Sequence, residues 1–220
     1  MTKSISVLQH GEMKMNYQKE LEKILPNIDE NKNRLFLHSC CAPCSSYVLE
    51  YLAEYFAITI FYYNPNIYPE SEYETRIEEQ RGLIRKIKGK YPISFVEGHY
   101  DRQEFFEIAK GLENEAEGGE RCFRCYELRL REAAKRARAG GFDFFTTTLS
   151  ISPMKNAKKL NELGVKIGEE YQIAHLPSDF KKKGGYQRSI VLSNLYGLYR
   201  QDYCGCEFSI RHLYSEKGVW

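Results

Sequence analysis

Residues 35–46 read Leu35-Phe36-Leu37-His38-Ser39-Cys40-Cys41-Ala42-Pro43-Cys44-Ser45-Ser46. A short apolar run breaks into closely spaced cysteines and passes into a helical pattern. The reading is strand, turn, helix, with Cys40, Cys41 and Cys44 held at the turn. In open α/β sheets, ligands bind beyond the carboxyl ends of the strands. There the next helix presents unpaired backbone N–H groups and the positive end of its dipole. That environment lowers thiol pKa values and favours the thiolate, the form that attacks disulfides and ligates metals. Three sulfurs in one turn are more than packing as small hydrophobes explains.

Outward from this turn the chain alternates between two periodicities. Residues 12–26 carry Tyr17, Leu21, Ile24 and Leu25 among charges, an amphipathic helix ended by Pro26 and expected on the outside of the main sheet. Residues 27–33 are polar and read as a linker. A helix is expected over 45–56, with Val48, Leu49, Leu52 and Tyr55 on one side, and a buried strand over 57–63. The pair opens a right-handed βαβ unit. A loop over 64–69, a charged helix over 70–88 and a strand over 93–97 follow, with His99 and Asp101 at that strand's carboxyl end. Next come a helix over 102–112, an acidic loop over 113–119, and a helix opening near Glu120 that carries Cys122 and Cys125 and ends at Gly140-Gly141. A strand over 142–148, a turn over 150–154, a helix over 156–171, a strand over 172–176 and a helix over 189–199 complete the pattern. The expected architecture is α/β, a doubly wound parallel sheet of about five strands. Residues 34–220 would form one α/β catalytic domain behind an N-terminal helical extension over 1–33.

Composition narrows the partners. The 220 residues suffice for a full core, and 17 Tyr with 12 Phe offer amphipathic aromatic surface for stacking. A net charge of +2 makes any polyanion site a local patch. No secretion-type apolar segment opens the chain, and no run reaches the roughly 18–20 apolar residues of a membrane span. A cytoplasmic location without membrane association is expected. Seven cysteines cannot all pair within one chain, and in such a setting cysteine clusters point to metal binding or redox chemistry.

Cys40-Cys41-x-x-Cys44 and Cys122-x-x-Cys125 supply thiols from two separate element ends. Iron–sulfur clusters and structural zinc both use four cysteines, often from two such pairs. The position at the sheet's ligand-binding edge, and the surplus of thiols, favour iron–sulfur. Cys204-Gly205-Cys206 is a different object. A disulfide across one residue closes a small ring that departs from relaxed geometry and is readily reduced, so the pair could store two electrons. Two unrelated thiols, or further metal ligands, are the alternative. His38, His99, His175 and His212 suit structural roles, with His99 and Asp101 best placed for chemistry. Lys181 to Lys183 with Arg188 form either a solvated face or a phosphate-contacting patch. Ser152-Pro153 and Leu176-Pro177 are candidates for a cis bond.

Three motifs in order carry a resemblance. They are His38-Ser39-Cys40-Cys41-Ala42-Pro43-Cys44 after the first strand, Arg121-Cys122-Phe123-Arg124-Cys125-Tyr126 with Arg129-Leu130 in mid-chain, and Tyr203-Cys204-Gly205-Cys206 near the end. Together they resemble the QueH-type epoxyqueuosine reductases over roughly residues 34–210. The resemblance implies reduction of epoxyqueuosine to queuosine at the wobble position of a transfer RNA, on a sheet of the adenine-nucleotide α-hydrolase type. It implies that Cys40, Cys41, Cys122 and Cys125 hold a [4Fe-4S] cluster and that Cys204 and Cys206 form the redox-active pair. Cys44 is then a fifth thiol, which either binds a second metal ion or replaces one of the four. An external electron donor is also implied.

Removing an epoxide oxygen to leave an alkene takes two electrons and two protons. A single cluster usually passes one electron at a time, so a second store such as Cys204 and Cys206, or a second metal, completes the count. An iron with an open position would act as a Lewis acid on the epoxide oxygen. Asp101, His99 and Glu120 are the candidate proton donors. A wobble base must be splayed out of its loop to react, and Tyr62, Tyr63, Tyr68 and Tyr186 are either stacking platforms or ordinary packing.

Rival readings remain open at this point. A thioredoxin-like thiol–disulfide oxidoreductase needs only Cys41 and Cys44 and leaves the other thiols without a role. A zinc-stabilised RNA-binding module predicts bound zinc without turnover. A nucleotide-activating enzyme would need a glycine-rich phosphate loop where this chain carries cysteines.

Overall fold

The computed structural model describes residues 15–201 and 203–210, so His212 and the start of the expected 12–26 helix lie outside the described residues. In chain order the elements are α1 (Tyr17–Ile24), β1 (Arg34–Ser39), α2 (Ala42–Leu52), β2 (Ala57–Tyr62), α3 (Glu70–Lys86), β3 (Ile93–Glu97), α4 (Arg102–Ala109), α5 (Glu120–Ala139), β4 (Phe144–Thr147), α6 (Ala157–Tyr171), β5 (Ala174–His175) and α7 (Gly185–Tyr196). All five strands are parallel, in the order β3-β2-β1-β4-β5. This is the doubly wound arrangement. Its strand order reverses between β1 and β4, so a crevice opens beyond their carboxyl ends. No helix among the described residues is long and apolar enough to cross a membrane.

The β1 sequence explains its central place. Leu35 and Leu37 point to one face, where they meet Leu21 and Leu25 of the N-terminal segment, Val48, Leu49 and Leu52 of α2, and Leu83 of α3. Phe36 points to the other, against Phe61, Phe145, the α5 stripe of Tyr126, Leu130 and Ala134, and Leu160, Leu163 and Ile167 of α6. A strand covered on both faces reads as a continuous apolar run rather than an alternation. The register places Ser39 opposite Tyr62 and His38 opposite Thr147, so Cys40 and Cys41 emerge at the middle of the sheet's edge.

Several boundaries differ from the sequence reading. The helix after β1 begins at Ala42 rather than at Ser45, because Pro43 falls in its first turn, where a missing N–H costs nothing. Cys41 is therefore the residue that caps α2, and Cys44 lies in its first turn. β5 is two residues long, and Pro177, having no N–H to donate, stands just beyond it. α7 starts earlier than expected and stops at Gly197, which takes the left-handed conformation at φ 63°. The cis bond among the described residues is Tyr68–Pro69, not one of the two expected candidates. α6 reaches β5 through Gly164, where a Cβ would stand 2.3 Å from His175 Nε2.

Candidate active site

The three sulfurs of Cys40, Cys41 and Cys44 lie within 4.8 Å of one another. Their turn is held from below by polar contacts. Ser39 Oγ and Ser45 Oγ donate to Gln80 Oε1 at 2.8 and 2.9 Å, and Asn64 Nδ2 donates to the Ser39 carbonyl at 2.8 Å. His38 bonds Thr147 Oγ1 through Nδ1 at 2.8 Å and the Tyr63 carbonyl through Nε2 at 3.1 Å. A carbonyl only accepts, so Nε2 carries the proton and the ring is a neutral brace between β1, β2 and β4. Burial, aided by the nearby Arg129 charge, pushes its pKa down to about 3. Hydrogen bonds with Cys41 and Cys44 hold the Cys40 thiol well below the usual range, and the same contacts push those two partners up. The turn favours one thiolate among three sulfurs.

The second cysteine pair opens α5. Cys122 lies in the first turn and accepts a bond from Gly118 N at 3.3 Å; it packs, like Cys40, against the core of Phe36, Tyr126 and Leu149. Cys125 is buried and clusters with Cys204, Cys206, Phe105 and Phe208. Burial pushes the Cys125 thiol up to about 11 and the Cys206 thiol up to about 12. The structure thus brings Cys40, Cys41 and Cys44 together, and Cys125 with Cys204 and Cys206. Cys122 and Cys125 stand outside the compact triplet, and Cys44, the surplus thiol of the motif, stands inside it.

Cys204-Gly205-Cys206 is seated by contacts from several elements. Cys206 bridges Ile67, Tyr68 N donates to the Gly205 carbonyl at 2.8 Å, Arg102 pairs with Glu207 at 2.5 Å, and Ser209 Oγ donates to Glu117 at 2.8 Å. Gly205 has φ 92°, and a Cβ there would meet the Arg76 guanidinium at 3.0 Å, so glycine is required for both reasons.

Between the thiol groups lie buried cations. Arg129, 1 % exposed, donates to the Cys125 carbonyl at 3.1 Å and to Asn64 Oδ1 at 3.3 Å, and no carboxylate pairs with it among the described residues. Burial disfavours its charge, but Cys125, Cys204 and Cys40 more than offset that and raise its pKa. Lys155 Nζ donates to Glu117 at 2.7 Å and to Cys204 Sγ at 3.3 Å. Arg76 donates to Glu72 at 2.7 Å and to the Cys204 carbonyl at 3.3 Å. A cavity of about 800 Å³ opens over this floor, lined among others by Cys40, Cys41, Cys44, Cys204, Arg76, Arg129, Lys155, Tyr186 and Tyr203. That volume suits a nucleoside-sized ligand.

The other residues singled out in the sequence fall elsewhere. Asp101 caps α4, accepting from Gln103 N at 2.9 Å, and is exposed. His99 bonds Glu104 at 2.9 Å and packs on Tyr63, while Glu120 faces Arg124 at 3.6 Å. None of the three lines the cavity. Tyr62 and Tyr63 are buried in the core, Tyr68 lies under Arg102 at 4.3 Å, and Tyr186 alone of the four faces the cavity. Lys181 and Lys182 share Asp179, Lys183 pairs with Glu22 and Arg188 with Glu50, so these charges are engaged within the protein. Arg76, Lys155 and Glu117 carry no sequence motif, and Arg129 enters the sequence reading only as part of the mid-chain motif. The available signal was a charge placed in an inward helical stripe, Arg76 between Tyr73 and Ile77, and Arg129 between Tyr126 and Leu130.

Comparison with known proteins follows the same lines. The family described as epoxyqueuosine reductase QueH matches residues 35–212. The chain is 44% identical over 202 residues to the epoxyqueuosine reductase QueH of Staphylococcus epidermidis, covering 89% of this chain and 85% of that one. It is 43% identical over 186 residues to the Haemophilus influenzae protein of the same name, covering 84% and 74%. The Thermotoga maritima protein of that name is 36% identical over 179 residues, covering 80% and 90%. Among solved structures, a predicted subunit of a tRNA methyltransferase from Methanocaldococcus jannaschii aligns with a TM-score of 0.47 at 14% identity, over 86% of this chain and 90% of that one. With the family match running from residue 35 to residue 212 and relatives 36–44% identical over most of the chain, the chain belongs to the epoxyqueuosine reductase QueH family.

Proposed function

We propose that this chain reduces epoxyqueuosine to queuosine at the wobble position of a tRNA. In this reading Cys40, Cys41, Cys122 and Cys125 hold a [4Fe-4S] cluster, and Cys204 and Cys206 are a redox pair. The observation that carries it is Arg129, a fully buried guanidinium with no carboxylate partner among the described residues, set against Cys40, Cys125 and Cys204. An unpaired buried charge is too costly to keep, so an anionic group must face it. A thiolate-ligated cluster is such a group. The N-termini of α2 and α5, and the Gly118 N–H on Cys122, favour negative sulfur in the same place. When bound, the cluster supplies single electrons at low potential.

The chain's own residues do the rest. Two thiols hold two electrons and two protons, so one epoxide and the reduced Cys204–Cys206 pair balance as one alkene, one disulfide and one water. Cys204 lines the cavity and Cys206 does not, so Cys204 is the sulfur within reach of substrate. Lys155 places positive charge beside it. Tyr186 offers an aromatic face to a base splayed from its loop. An external one-electron donor restores the pair, and the cytoplasm, where thiols stay reduced and tRNA is present, is the compartment this chemistry needs. Asp101, engaged as an exposed helix cap, takes no part in this scheme.

A specific observation favours one refinement. Zn–S bonds of about 2.3 Å put the sulfurs of a tetrahedral site about 3.8 Å apart. Cys40 and Cys41 sulfurs are 3.9 Å apart within the triplet. In this reading Cys44, whose sulfur lies within 4.8 Å of the other two, joins a metal site, either of a second ion or in place of one of the four cluster cysteines.

The test is an anaerobic purification with an absorption spectrum and iron, zinc and sulfide analysis, followed by reaction with epoxyqueuosine tRNA and dithionite. About four iron and four sulfide per chain, with a product nucleoside lighter by one oxygen, are expected. A colourless protein with about one zinc that binds RNA without turnover would replace the reductase by a zinc-stabilised RNA-binding module.

A further inference from the structure

We propose that Arg76 donates the hydrogen bond that stabilises the departing epoxide oxygen, a role that rests on the reductase reading. The side chain is 2 % exposed, yet its three nitrogens are not equally used. Nε donates to Glu72 Oε1 at 2.7 Å and Nη1 to the Cys204 carbonyl at 3.3 Å, whereas Nη2 has no hydrogen-bond partner among the described residues. Arg76 lines the same cavity as Cys41 and Cys204, with its guanidinium 5.4 Å from the Tyr203 ring. Asn66, 1 % exposed and also lining the cavity, has an Oδ1 that is likewise unpartnered. Among the residues lining the cavity, Arg76 thus holds a buried donor nitrogen and Asn66 a buried acceptor oxygen without hydrogen-bond partners among the described residues. Buried polar groups are nearly always satisfied, and leaving a charged donor open costs free energy that a ligand oxygen would recover.

The chemistry calls for that donor. Both C–O bonds of the epoxide break and a carbon–carbon double bond forms. Two electrons arrive from an external one-electron donor by way of the thiols, two protons come ultimately from water, and the oxygen leaves as water. When the first C–O bond breaks, negative charge collects on oxygen. A fixed cationic donor at that position lowers the barrier. Arginine keeps its proton throughout, so Arg76 stabilises charge without acting as the acid. In this assignment Asn66 Oδ1 accepts from the protonated oxygen as it leaves. The position is enforced from behind: Gly205, lacking a Cβ, leaves room for the guanidinium at 3.0 Å.

The experiment compares Arg76→Gln, Arg76→Lys and Arg76→Ala with wild type, all purified anaerobically as full chains and assayed with epoxyqueuosine tRNA and dithionite. Metal content, thiol count and tRNA affinity are measured on the same preparations. Loss of one oxyanion donor costs about 10²–10³ in kcat, and that loss is expected for Arg76→Gln with metal content, tRNA affinity and KM near wild type. Arg76→Lys should retain more activity than Arg76→Gln, and added guanidinium ion should partly restore Arg76→Ala. An Arg76→Gln enzyme with wild-type kcat overturns the assignment. So does a loss of kcat that tracks lost metal, which would make Arg76 a support for the Cys41 sulfur. A wild-type protein that binds metal but never turns over fails earlier, at the reductase reading itself, and takes this role with it.

Discussion

Replacing Lys155 by Met removes one member of a buried charge pair while keeping most of the side-chain volume. Lys155 and Glu117 meet at 2.7 Å, with side chains 6% and 28% exposed. Burial pushes the Glu117 carboxyl up, but the Lys155 charge, with bonds from Lys155 and Ser209, outweighs it and holds the pKa below the ordinary range. Glu117 is then ionised in the folded protein wherever it is ionised in the unfolded one. The pair's stability is present above the ordinary carboxylate pKa and is lost as pH falls through the lowered one. Breaking a buried pair costs about 3–5 kcal/mol. Glu117 retains some solvent and its Ser209 bond, so the lower end, about 3 kcal/mol, applies. In a domain of this size each kcal/mol moves Tm by about 2–4 °C, giving a drop of about 6–12 °C at neutral pH. Circular dichroism melts of anaerobic, reduced protein measure it. A double-mutant cycle with Glu117→Gln should return a coupling of about 1–3 kcal/mol. Additive effects, or a Lys155→Met melt within about 2 °C of wild type, would refute a pair that stabilises the Cys204 wall.

Three further outcomes are expected. Burial alone holds His175 down to about 4, under its ordinary value of about 6.5, so the unfolded chain takes up the proton first. Stability is full above about pH 6.5 and declines toward pH 4, and urea midpoints of His175→Phe should lose part of that decline; an identical pH profile would exclude His175 as the cause. If Cys44 joins the proposed metal site, Cys44→Ser exchanges a sulfur ligand for a poor one and elemental analysis should show less metal per chain, whereas unchanged content places Cys44 outside that site. Gly205→Ala puts a Cβ at φ 92° against the Arg76 guanidinium. Strain of this kind costs about 1–3 kcal/mol, and a variant as stable in urea as wild type would contradict the assigned backbone.

The elements were legible because their signals are local. Charge and apolar residues at helical spacing placed α3, α5 and α6 within a few residues, and the β1 to α2 turn was read from one short stretch. The helix was expected from Ser45, whereas it starts at Ala42 with Pro43 already in its first turn. The proton donors read from the sequence, Asp101, His99 and Glu120, sit at element ends, where polar residues also serve as caps and surface pairs. Nothing in the local pattern separates those uses. Tyr62 and Tyr63 show the same ambiguity, since a strand aromatic faces a ligand or a helix according to what packs above it.

By itself the sequence determined the alternation of strands and helices, the cysteine turn at the carboxyl end of β1, and the three motifs that mark the family. Those follow from backbone propensity, side-chain period and residue order, all of which are properties of short segments. Tertiary structure alone decided that Cys125 joins Cys204 and Cys206, apart from the turn that carries Cys40, Cys41 and Cys44. It also placed Arg76, Arg129 and Lys155 beneath one cavity. The reason is that these residues come from elements far apart in the chain. Their meeting depends on strand order and helix docking, and a buried cation acquires meaning only from the sulfur it faces.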